Sequence, residues 1–302
     1  MVGQAVVRAL HHRGARSLIM PTREELNLID QAAVQRFFRD QRPQLVIFAA
    51  GKVGGIIANQ TFQAEFLYEN MMMTANAIES ARQANVQRFL YLGSSCIYPK
   101  MAPQPINEAS LLASPLEPTN EGYALAKITG LKLCQYYRQQ FGCLFHSAMP
   151  TNLYGPGDNY HAENSHVVPG LIRRFHDAKQ ADQPQVTIWG TGTVRRELMH
   201  VDDLADGLLH LCQISDPPDW VNVGTGQDVT IMQLAELIAD VIGYRGKIIT
   251  DPSKPDGTPI KQTDISLINR LGWEAKIELR AGLEMTYQAF LRESTAGVLR
   301  EK

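Results

Sequence analysis

One stretch of the chain holds the residue types needed for proton transfer. An apolar run, Phe89–Leu92, leads into Gly93-Ser94-Ser95-Cys96, and Tyr123 precedes Lys127 by four residues. Side chains four positions apart share one face of a helix, so Tyr123 and Lys127 should point the same way. A nearby ammonium lowers the pKa of a phenol, and a serine hydroxyl can hold a carbonyl oxygen. Together the residues predict a proton-transfer group; Tyr-x-x-x-Lys alone is equally typical of an ordinary half-exposed helix face.

Two other side chains are candidate proton carriers. Cys96 follows Ser94 by two residues, and a thiol can exchange protons near neutral pH when a positive group tunes it. His166 is the second candidate because imidazole titrates closest to neutrality. The alternatives stay open: Cys96 as a small buried hydrophobe, His166 as a loop residue, and Ser95 as a competitor for the role of Ser94.

Strands that alternate with helices must position these groups. Gln44–Ala50 and Ser17–Met20 have the pattern of strands, and 65–85 and 119–141 have the pattern of long helices. The alternation predicts an α/β fold with a mostly parallel, Rossmann-like sheet and a smaller α/β C-terminal substrate lobe. We expect a dinucleotide-binding domain over 1–153 and a mainly substrate-binding domain over 154–302, with about 197–224 returning to the first.

The start of the chain departs from the usual dinucleotide-binding pattern. Met1–Leu10 has the pattern of an amphipathic helix, with no strand and glycine-rich turn before it. Gly3 is the one glycine that could belong to such a turn. We therefore expect the first strand to be missing, this chain to be a shortened form of an active enzyme, and the short form to bind its cofactor poorly.

Composition excludes several classes of partner. The formal net charge of −2 gives no general attraction to nucleic acid or to an anionic membrane, so an anionic ligand needs local basic groups. No apolar run approaches the roughly 20 residues that cross a bilayer. The four cysteines form no Cys-x-x-Cys pair and follow no secretory leader, which favours a reducing cytoplasm. Nothing in the sequence predicts a metal site.

Several stretches carry a family resemblance in addition to Ser94 and Tyr-x-x-x-Lys. They are Ala50–Ile56, Gly93–Lys100, Leu116–Asn120, Met149–Gly155, Asn164–Val167 and Lys254–Pro259. With them the chain resembles the extended short-chain dehydrogenase/reductase family, and within it the epimerase-reductases that act on GDP-4-keto-6-deoxy-D-mannose. The resemblance runs from the first residues to about Trp273. It implies epimerisation at carbons 3 and 5, followed by NADPH-dependent reduction at carbon 4.

The resemblance also implies roles for individual residues. Ser94 and Tyr123 would hold the ketone oxygen, and Tyr123 would donate a proton to it with its pKa lowered by Lys127. Cys96 and His166 would be the acid–base pair of the epimerisation. Positions implied for cofactor binding are Gly3, Leu92, Ser94, Lys127, Pro150, Asn152, Leu153 and His166. Positions implied for binding a GDP-sugar substrate are Arg174, Trp189, Arg196 and Asp256.

Arg23 bears on the choice of cofactor. It follows the predicted strand Ser17–Met20, at a place where NAD-binding folds often offer a carboxylate and NADP-binding folds an arginine. Arg23 therefore favours NADPH; the alternative is a solvated arginine at the start of a helix, with Glu24 and Glu25 beside it to pair with. The two long helices could present a shared face to a second copy, which predicts a homodimer.

Two rival functions stay open at this point. One is another nucleotide-sugar epimerase or dehydratase with tightly bound NAD, which would not need Cys96 and His166 together. The other is an inactive truncated chain. Cofactor preference through Arg23 discriminates the first rival.

Overall fold

The structure is a computed structural model that describes residues 1–162, 165–254 and 256–301. Asn164 and Pro255, which belong to two of the resembling stretches, lie outside the described residues, as does Lys302. The helices are α1 (Val2–His12), α2 (Gln31–Gln41), α3 (Ile56–Thr61), α4 (Gln63–Gln83), α5 (Glu121–Phe141), α6 (Val167–Gln180), α7 (Val201–Leu211), α8 (Ile231–Ile242), α9 (Ser266–Arg270) and α10 (Leu279–Thr295). The strands are β1 (Leu45–Phe48), β2 (Arg88–Leu92), β3 (Leu144–Pro150), β4 (Asn152–Tyr154), β5 (Gln185–Trp189), β6 (Arg195–His200), β7 (Trp220–Val223), β8 (Asp228–Thr230), β9 (Lys247–Asp251) and β10 (Ile260–Lys261).

The main sheet has the order β1-β2-β3-β7, and every pairing in it is parallel. Because parallel strands end at the same edge, Leu92 and Pro150 both bring the chain to the carboxyl edge of this sheet. Apolar clusters cover the sheet on both faces, one against α7 and one against α4 and α5. The predicted α/β, mostly parallel fold is confirmed.

Two smaller sheets lie beyond the main one. The first has the order β10-β6-β4, with β8 antiparallel to β6, and the second pairs β5 with β9. Helices α6, α8 and α10 share an apolar cluster with β5 and β6. The two smaller sheets and these three helices form the second lobe, and Arg174, Trp189 and Arg196 belong to it.

Local sequence explains where several helices begin. Asp30 accepts a hydrogen bond from the Ala33 amide at 3.0 Å and caps α2. Thr230 and Gln233 form a reciprocal capping box at the start of α8, with N–H to oxygen distances of 3.0 and 2.9 Å. Helix α5 ends at Gly142, whose φ of 68° is the left-handed conformation that stops a helix.

Two sequence-based expectations about strands need correction. Ser17–Met20 forms no strand: it has no hydrogen-bonded strand partner among the described residues, and Ile19 and Met20 are exposed. The strand predicted over Gln44–Ala50 is present as β1 but is not buried on both faces. It is the edge of the main sheet, and Leu45 is 40% exposed. An apolar pattern indicates a strand but does not reveal whether a neighbour will pair with it.

Within residues 1–162, 165–254 and 256–301, no helix is both long and apolar enough to cross a membrane.

Candidate active site

The end of β2 presents Ser94. Gly93 allows the turn because a Cβ there would lie 2.3 Å from Met149 Sδ. The Ser94 hydroxyl accepts a hydrogen bond from the Cys96 amide at 3.2 Å and so caps the short 3-10 helix Ser95–Ile97. Ser94 is half-buried, whereas Ser95 is 2% exposed. Burial raises the pKa of Tyr123, and Ser94 acts on it in the opposite direction, so Ser94 is the serine that faces the tyrosine.

Helix α5 brings Tyr123 and Lys127 to the same place. The Lys127 ammonium is 5% exposed, donates to the Leu92 carbonyl at 2.8 Å, and lies 5.8 Å from the centre of the Tyr123 ring. Its ring contact with Tyr91 is at 5.1 Å. Tyr123 itself packs edge-on against Phe66, with ring centres 6.3 Å apart. The predicted shared helix face is confirmed for this pair.

The sequence argument on the phenol pKa was wrong in sign. Burial, with a further contribution from the charge of Cys96, raises the pKa of Tyr123 above its ordinary value. Burial also lowers the pKa of Lys127 to about 8. Both groups resist their charged forms because few dipoles replace the lost water. At neutral pH the pair is therefore a protonated phenol beside an ammonium, which makes Tyr123 a proton donor.

Cys96 meets a lysine that the sequence reasoning missed. Lys261 Nζ donates to Cys96 Sγ at 3.1 Å, across 165 residues of chain. Burial opposes a charged thiolate, but Lys261, a hydrogen bond with Ser94 and the charge of Arg196 together outweigh it and lower the pKa of Cys96. Nothing in the sequence links Lys261 to Cys96. The signal that could have been noticed is a lysine two residues beyond the Lys-Pro-Asp-Gly-Thr-Pro stretch.

His166 stands at the start of α6, where it occupies the capping position without a side-chain cap bond. The residue keeps an exposed side, yet the protein around it is dense enough that burial, followed by the charges of Lys261 and Arg300, lowers its pKa. Lys261 is thus close enough to influence both Cys96 and His166.

An aromatic ring between two cations marks the second lobe. The Arg174 guanidinium lies 5.4 Å from the centre of the Trp189 ring, and Lys254 Nζ lies 5.7 Å from it. Arg174 also donates to the Thr187 carbonyl at 2.7 Å, and Trp189 is 41% exposed. A flat ring flanked by positive charge suits an anionic ligand that carries a planar group. Sequence reasoning had named Arg174 and Trp189 but not Lys254.

Arg196 and Asp256 shape the loop beside that ring. Arg196 donates to the Thr258 carbonyl at 2.6 Å and to the Asp256 carbonyl at 3.2 Å. The Asp256 carboxylate accepts from the Thr191 amide at 2.8 Å and from the Thr191 hydroxyl at 2.9 Å. The contacts of the Asp256 carboxylate are therefore with a turn of its own chain. Arg173 and Arg195, their sequence neighbours, pair instead with Asp177, Glu301 and Asp228.

A buried carboxylate holds the segment that carries Lys261. Glu197 is 0% exposed, and one oxygen accepts from the Thr225 and Gly226 amides at 2.7 and 2.9 Å. Its other oxygen accepts from the Thr263 amide and hydroxyl at 2.6 and 2.7 Å. Four donors around one carboxylate fix three segments to one another. Sequence reasoning assigned no role to Glu197.

The predicted cofactor positions cluster at the carboxyl edge of the main sheet. A Cβ on Gly51 would lie 3.2 Å from Asn70 Oδ1 and 3.6 Å from Lys127 Nζ, so the chain passes close to the ammonium there. Asn70 holds that loop in place through the Lys52 amide at 2.8 Å and the Lys52 carbonyl at 3.0 Å. Leu92 ends β2, Pro150 ends β3, and Asn152 and Leu153 open β4. The side chain of Asn152 donates to the Glu197 carbonyl at 2.9 Å.

Two predicted cofactor residues lie apart from the proton-transfer group. Gly3 is in the first turn of α1, and a Cβ there would meet nothing within 4 Å. Arg23 is exposed and makes no ion pair with any described residue, Glu24 and Glu25 included, so its exposure fits both a cofactor role and the solvated alternative. In the described part of the chain, no group of three or more His, Cys, Asp and Glu side chains is placed to hold a metal ion.

The fold and the Ser-Tyr-Lys arrangement define a class, and comparison with known proteins agrees with it. Residues 1–224 match the model of the NAD dependent epimerase/dehydratase family. The chain belongs to this family, which confirms the resemblance inferred from its motifs.

Individual relatives are more specific. The chain is 51% identical to the GDP-L-fucose synthase of Escherichia coli (strain K12), with 96% of this chain and 94% of that protein covered. It is 52% identical to GDP-L-fucose synthase 1 of Arabidopsis thaliana, with 97% and 90% covered. Among solved structures, it is similar to a GDP-L-fucose synthetase from Naegleria fowleri bound to NADP, with a TM-score of 0.90, 26% identity, and 97% and 92% covered.

Proposed function

We propose that this protein converts GDP-4-keto-6-deoxy-D-mannose to GDP-L-fucose by epimerisation at carbons 3 and 5 and NADPH-dependent reduction at carbon 4. The relatives named as GDP-L-fucose synthases support the activity. The observation that carries it is the convergence of two proton-handling groups, Tyr123 with Lys127 and Cys96 with Lys261, around Ser94. A site for reduction alone would need the first group and not the second.

The ketone serves both steps, because it acidifies the hydrogens on its two neighbouring carbons. Ser94 and Tyr123 hold its oxygen and stabilise the negative charge that develops there when a proton leaves. The Cys96 thiolate removes the proton: the carbon–hydrogen bond breaks, a sulfur–hydrogen bond forms, and the electron pair moves to the ketone oxygen. His166, in its imidazolium form, gives a proton to the carbon from the opposite face of the ring as the electron pair returns from the oxygen, which inverts the carbon; both side chains then exchange protons with solvent.

Reduction uses the other group. When bound, NADPH supplies the hydride for carbon 4. Tyr123, which burial keeps protonated at neutral pH, gives its proton to the oxygen of carbon 4 as the hydride reaches the carbon. Lys127, with a pKa lowered to about 8, is charged at neutral pH and stabilises the phenolate that Tyr123 becomes, until a proton from solvent restores the phenol.

The residues present fit the cofactor. The Lys127 ammonium uses one of its three N–H groups on the Leu92 carbonyl, which leaves donors for the hydroxyls of the nicotinamide ribose. The lack of a side chain at Gly51 keeps the approach to Lys127 open. The exposed Arg23, free of an ion pair among the described residues, suits the 2′-phosphate that distinguishes NADPH from NADH. Pro150, Asn152, Leu153, His166 and Gly3 complete the proposed binding positions.

The GDP moiety has a matching surface in the second lobe. Arg174, Lys254 and Arg196 supply positive charge that the net charge of −2 does not, and Trp189 offers a flat apolar face between two of them. Asp256 secures the turn at Thr191 beside that face and is the proposed polar anchor.

One experiment tests the proposal directly. The purified chain is incubated with GDP-4-keto-6-deoxy-D-mannose in deuterated water, with and without NADPH, and the products are identified by NMR. We expect deuterium at carbons 3 and 5 in both cases and GDP-L-fucose only with NADPH. Reduction without exchange would reject the bifunctional assignment, and tightly bound NAD that is recycled without net oxidation would favour the rival epimerase class.

A substitution tests the cofactor. We expect the chain to bind NADPH more tightly than NADH, and Arg23→Ala to erase most of that difference. Arg36→Ala, a change of another arginine on the nearby α2, is the control. If both variants lose the preference for NADPH equally, or if Arg23→Ala keeps it, another group recognises the 2′-phosphate.

A homodimer is part of the proposal. Helices α4 and α5 pack side by side, and both expose large side chains: Tyr68 is 55% exposed, Leu125 40% and Tyr136 54%. Leu125 and Tyr136 are about three helical turns apart and so share one face of α5. A second copy that covers this face would bury those side chains, and analytical ultracentrifugation of Leu125→Glu would test it through loss of the dimer. We also place the enzyme in the cytoplasm, because all four cysteines are free thiols.

A further inference from the structure

In the mechanism given above Lys261 appears only as the neighbour of Cys96, and Glu197 has no role. We propose that Lys261 is a positioning residue that holds Cys96 as a thiolate, and that Glu197 fixes the segment from which Lys261 reaches the sulfur. The inference rests on the proton-removing role proposed for Cys96. It explains how Cys96 is activated, because without a cationic neighbour the thiol would be protonated and could not remove a proton.

The charges around the sulfur favour Lys261 as the activating group. It is the ammonium that contacts Sγ, at 3.1 Å, whereas Arg196 spends its guanidinium on the Thr258 and Asp256 carbonyls. Lys127 bonds the Leu92 carbonyl. An ammonium in contact with a sulfur stabilises the thiolate most strongly where little water remains to screen the pair.

Other titratable groups border the thiol without opposing this arrangement. Glu117 and Lys100 line the same small cavity as Cys96 and Lys261, but they pair with each other at 3.0 Å. The Asp256 carboxylate is bonded to Thr191. The Tyr123 phenol is protonated at neutral pH because burial raises its pKa, and burial, followed by the charge of Lys261, lowers the pKa of His166.

The other cysteines show what burial does without such a partner. Burial raises the pKa of Cys134 and of Cys212 to about 12 in each case, and it raises that of Cys143 as well. Cys96 is the cysteine whose pKa is lowered, and it is the one with a lysine on its sulfur. Burial acts in the same direction on the pKa of all four thiols, so the lowered pKa of Cys96 is due chiefly to its contact with Lys261.

The position of Lys261 is fixed by strand pairing at the residue itself and by hydrogen bonds of the two residues that follow it. Strand β10 is two residues long and pairs in parallel with β6, where Lys261 is opposite Arg196. The carbonyl of the next residue, Gln262, accepts a hydrogen bond from the Ile106 amide at 2.8 Å. The amide and hydroxyl of Thr263 both donate to Glu197. A strand this short would not hold a flexible lysine in register by itself. Glu197 therefore connects the fold of the second lobe to the chemistry of Cys96.

Thiol titration measures the proposed effect without sugar or cofactor. The rate of alkylation of Cys96 by iodoacetamide is followed against pH in the full chain, with Cys96→Ser as the blank for the other cysteines. We expect Lys261→Met to raise the alkylation pKa by at least about one unit, so that at pH values well below the wild-type pKa the thiolate fraction falls at least about tenfold. Lys261→Arg keeps a charge and should retain at least half of the wild-type depression.

Lys100→Met is the matched control, since Lys100 lines the same cavity but is paired with Glu117. The control should leave the alkylation pKa within a few tenths of a unit of wild type. An unchanged pKa in Lys261→Met, or equal shifts in Lys261→Met and Lys100→Met, would overturn the assignment. If Lys261→Met is insoluble, Lys261→Gln removes the charge while keeping a donor and is read in the same way.

The outcome is separable from that of the proposed function. A wild-type chain that fails to exchange deuterium at carbons 3 and 5 rejects the epimerase, whatever the titration gives. A chain that exchanges normally but whose Cys96 titrates identically with and without Lys261 rejects the lysine and leaves the epimerase standing. A lowered exchange rate in Lys261→Met that recovers as the pH is raised supports both.

Discussion

The two proton-handling groups of the site are assembled in different ways. Tyr123 and Lys127 sit one turn apart on α5, and the carbonyl that holds the lysine is 35 residues away, on the neighbouring strand β2. Cys96 depends on a lysine 165 residues away, whose position is set by strands of the second lobe. Tyr123 and Lys127, the reducing group, are thus held by elements of the main sheet. Cys96 and Lys261, the epimerising group, need both the main sheet and the second lobe. Perturbations of the second lobe should therefore harm epimerisation first.

The largest expected effect is that of Cys96→Ser on the epimerising group. A serine hydroxyl has no accessible anion near neutral pH, so deuterium exchange at carbons 3 and 5 should fall about a thousandfold. NMR of the recovered substrate measures it, and Cys143→Ser, a half-buried cysteine before β3, is the control. Exchange at the wild-type rate in Cys96→Ser would remove Cys96 from the mechanism.

Tyr123→Phe should break the reducing group. Without the phenolic proton, NADPH oxidation should slow by about a hundredfold, while exchange at carbons 3 and 5 falls less than about tenfold because Ser94 still holds the oxygen. Tyr136→Phe changes an exposed tyrosine on the same helix and should leave both rates unchanged. Rapid NADPH oxidation by Tyr123→Phe would show that another group protonates the ketone oxygen.

Glu197→Gln tests whether the second lobe controls Cys96. One oxygen becomes an NH2 group that faces two donors, so the free energy of unfolding should fall by about 2–4 kcal/mol. Denaturant unfolding measures this, and Glu236→Gln, an exposed residue on α8, should change it by less than about 0.5 kcal/mol. At temperatures where the variant is folded, we expect slower exchange at carbons 3 and 5 with little change in NADPH affinity. A large loss of NADPH affinity with unchanged exchange would contradict the inference that the second lobe controls Cys96 and not the reducing group.

Lys127→Met should give the smallest effect, and it should be stabilising. Burial lowers the pKa of Lys127 to about 8, so below pH 8 the lysine is charged in the folded and unfolded states alike and the folded state bears the whole cost. Removing the charge should raise the free energy of unfolding by about 1–3 kcal/mol at pH 7, after allowance for the lost bond to Leu92.

The sign of that effect has a pH test. Between pH 8 and the ordinary lysine pKa of 10.5 the unfolded chain binds more protons, so the wild type gains stability as the pH rises and the advantage of Lys127→Met shrinks. Urea unfolding at several pH values measures the difference, with Lys132→Met as the control on the same helix. An advantage that grows with pH would show that burial is not what shifts Lys127.

Much of the architecture could be read from the sequence. The spacing of Tyr123 and Lys127 is a local signal, and the structure bears it out. The cap of α2 by Asp30 and the capping box at Thr230 are local features of the same kind. The strand expected at Ser17–Met20 failed because strand formation depends on a partner that local pattern does not report. The lowered pKa expected for Tyr123 failed because the degree of burial, and not the nearness of Lys127, dominates that value.

The sequence by itself determined the alternation of strands and helices, the helix face that joins Tyr123 to Lys127, and the placement of Ser94 at a strand end. These follow from periodicity and turn chemistry, which act over a few residues. Only the tertiary structure decided that Lys261 contacts Cys96, that Glu197 clamps Thr263, and that Lys254 and Arg174 flank Trp189. Each of those contacts joins segments that are remote in sequence or in different elements, and their distances and burial exist only once the lobes have packed.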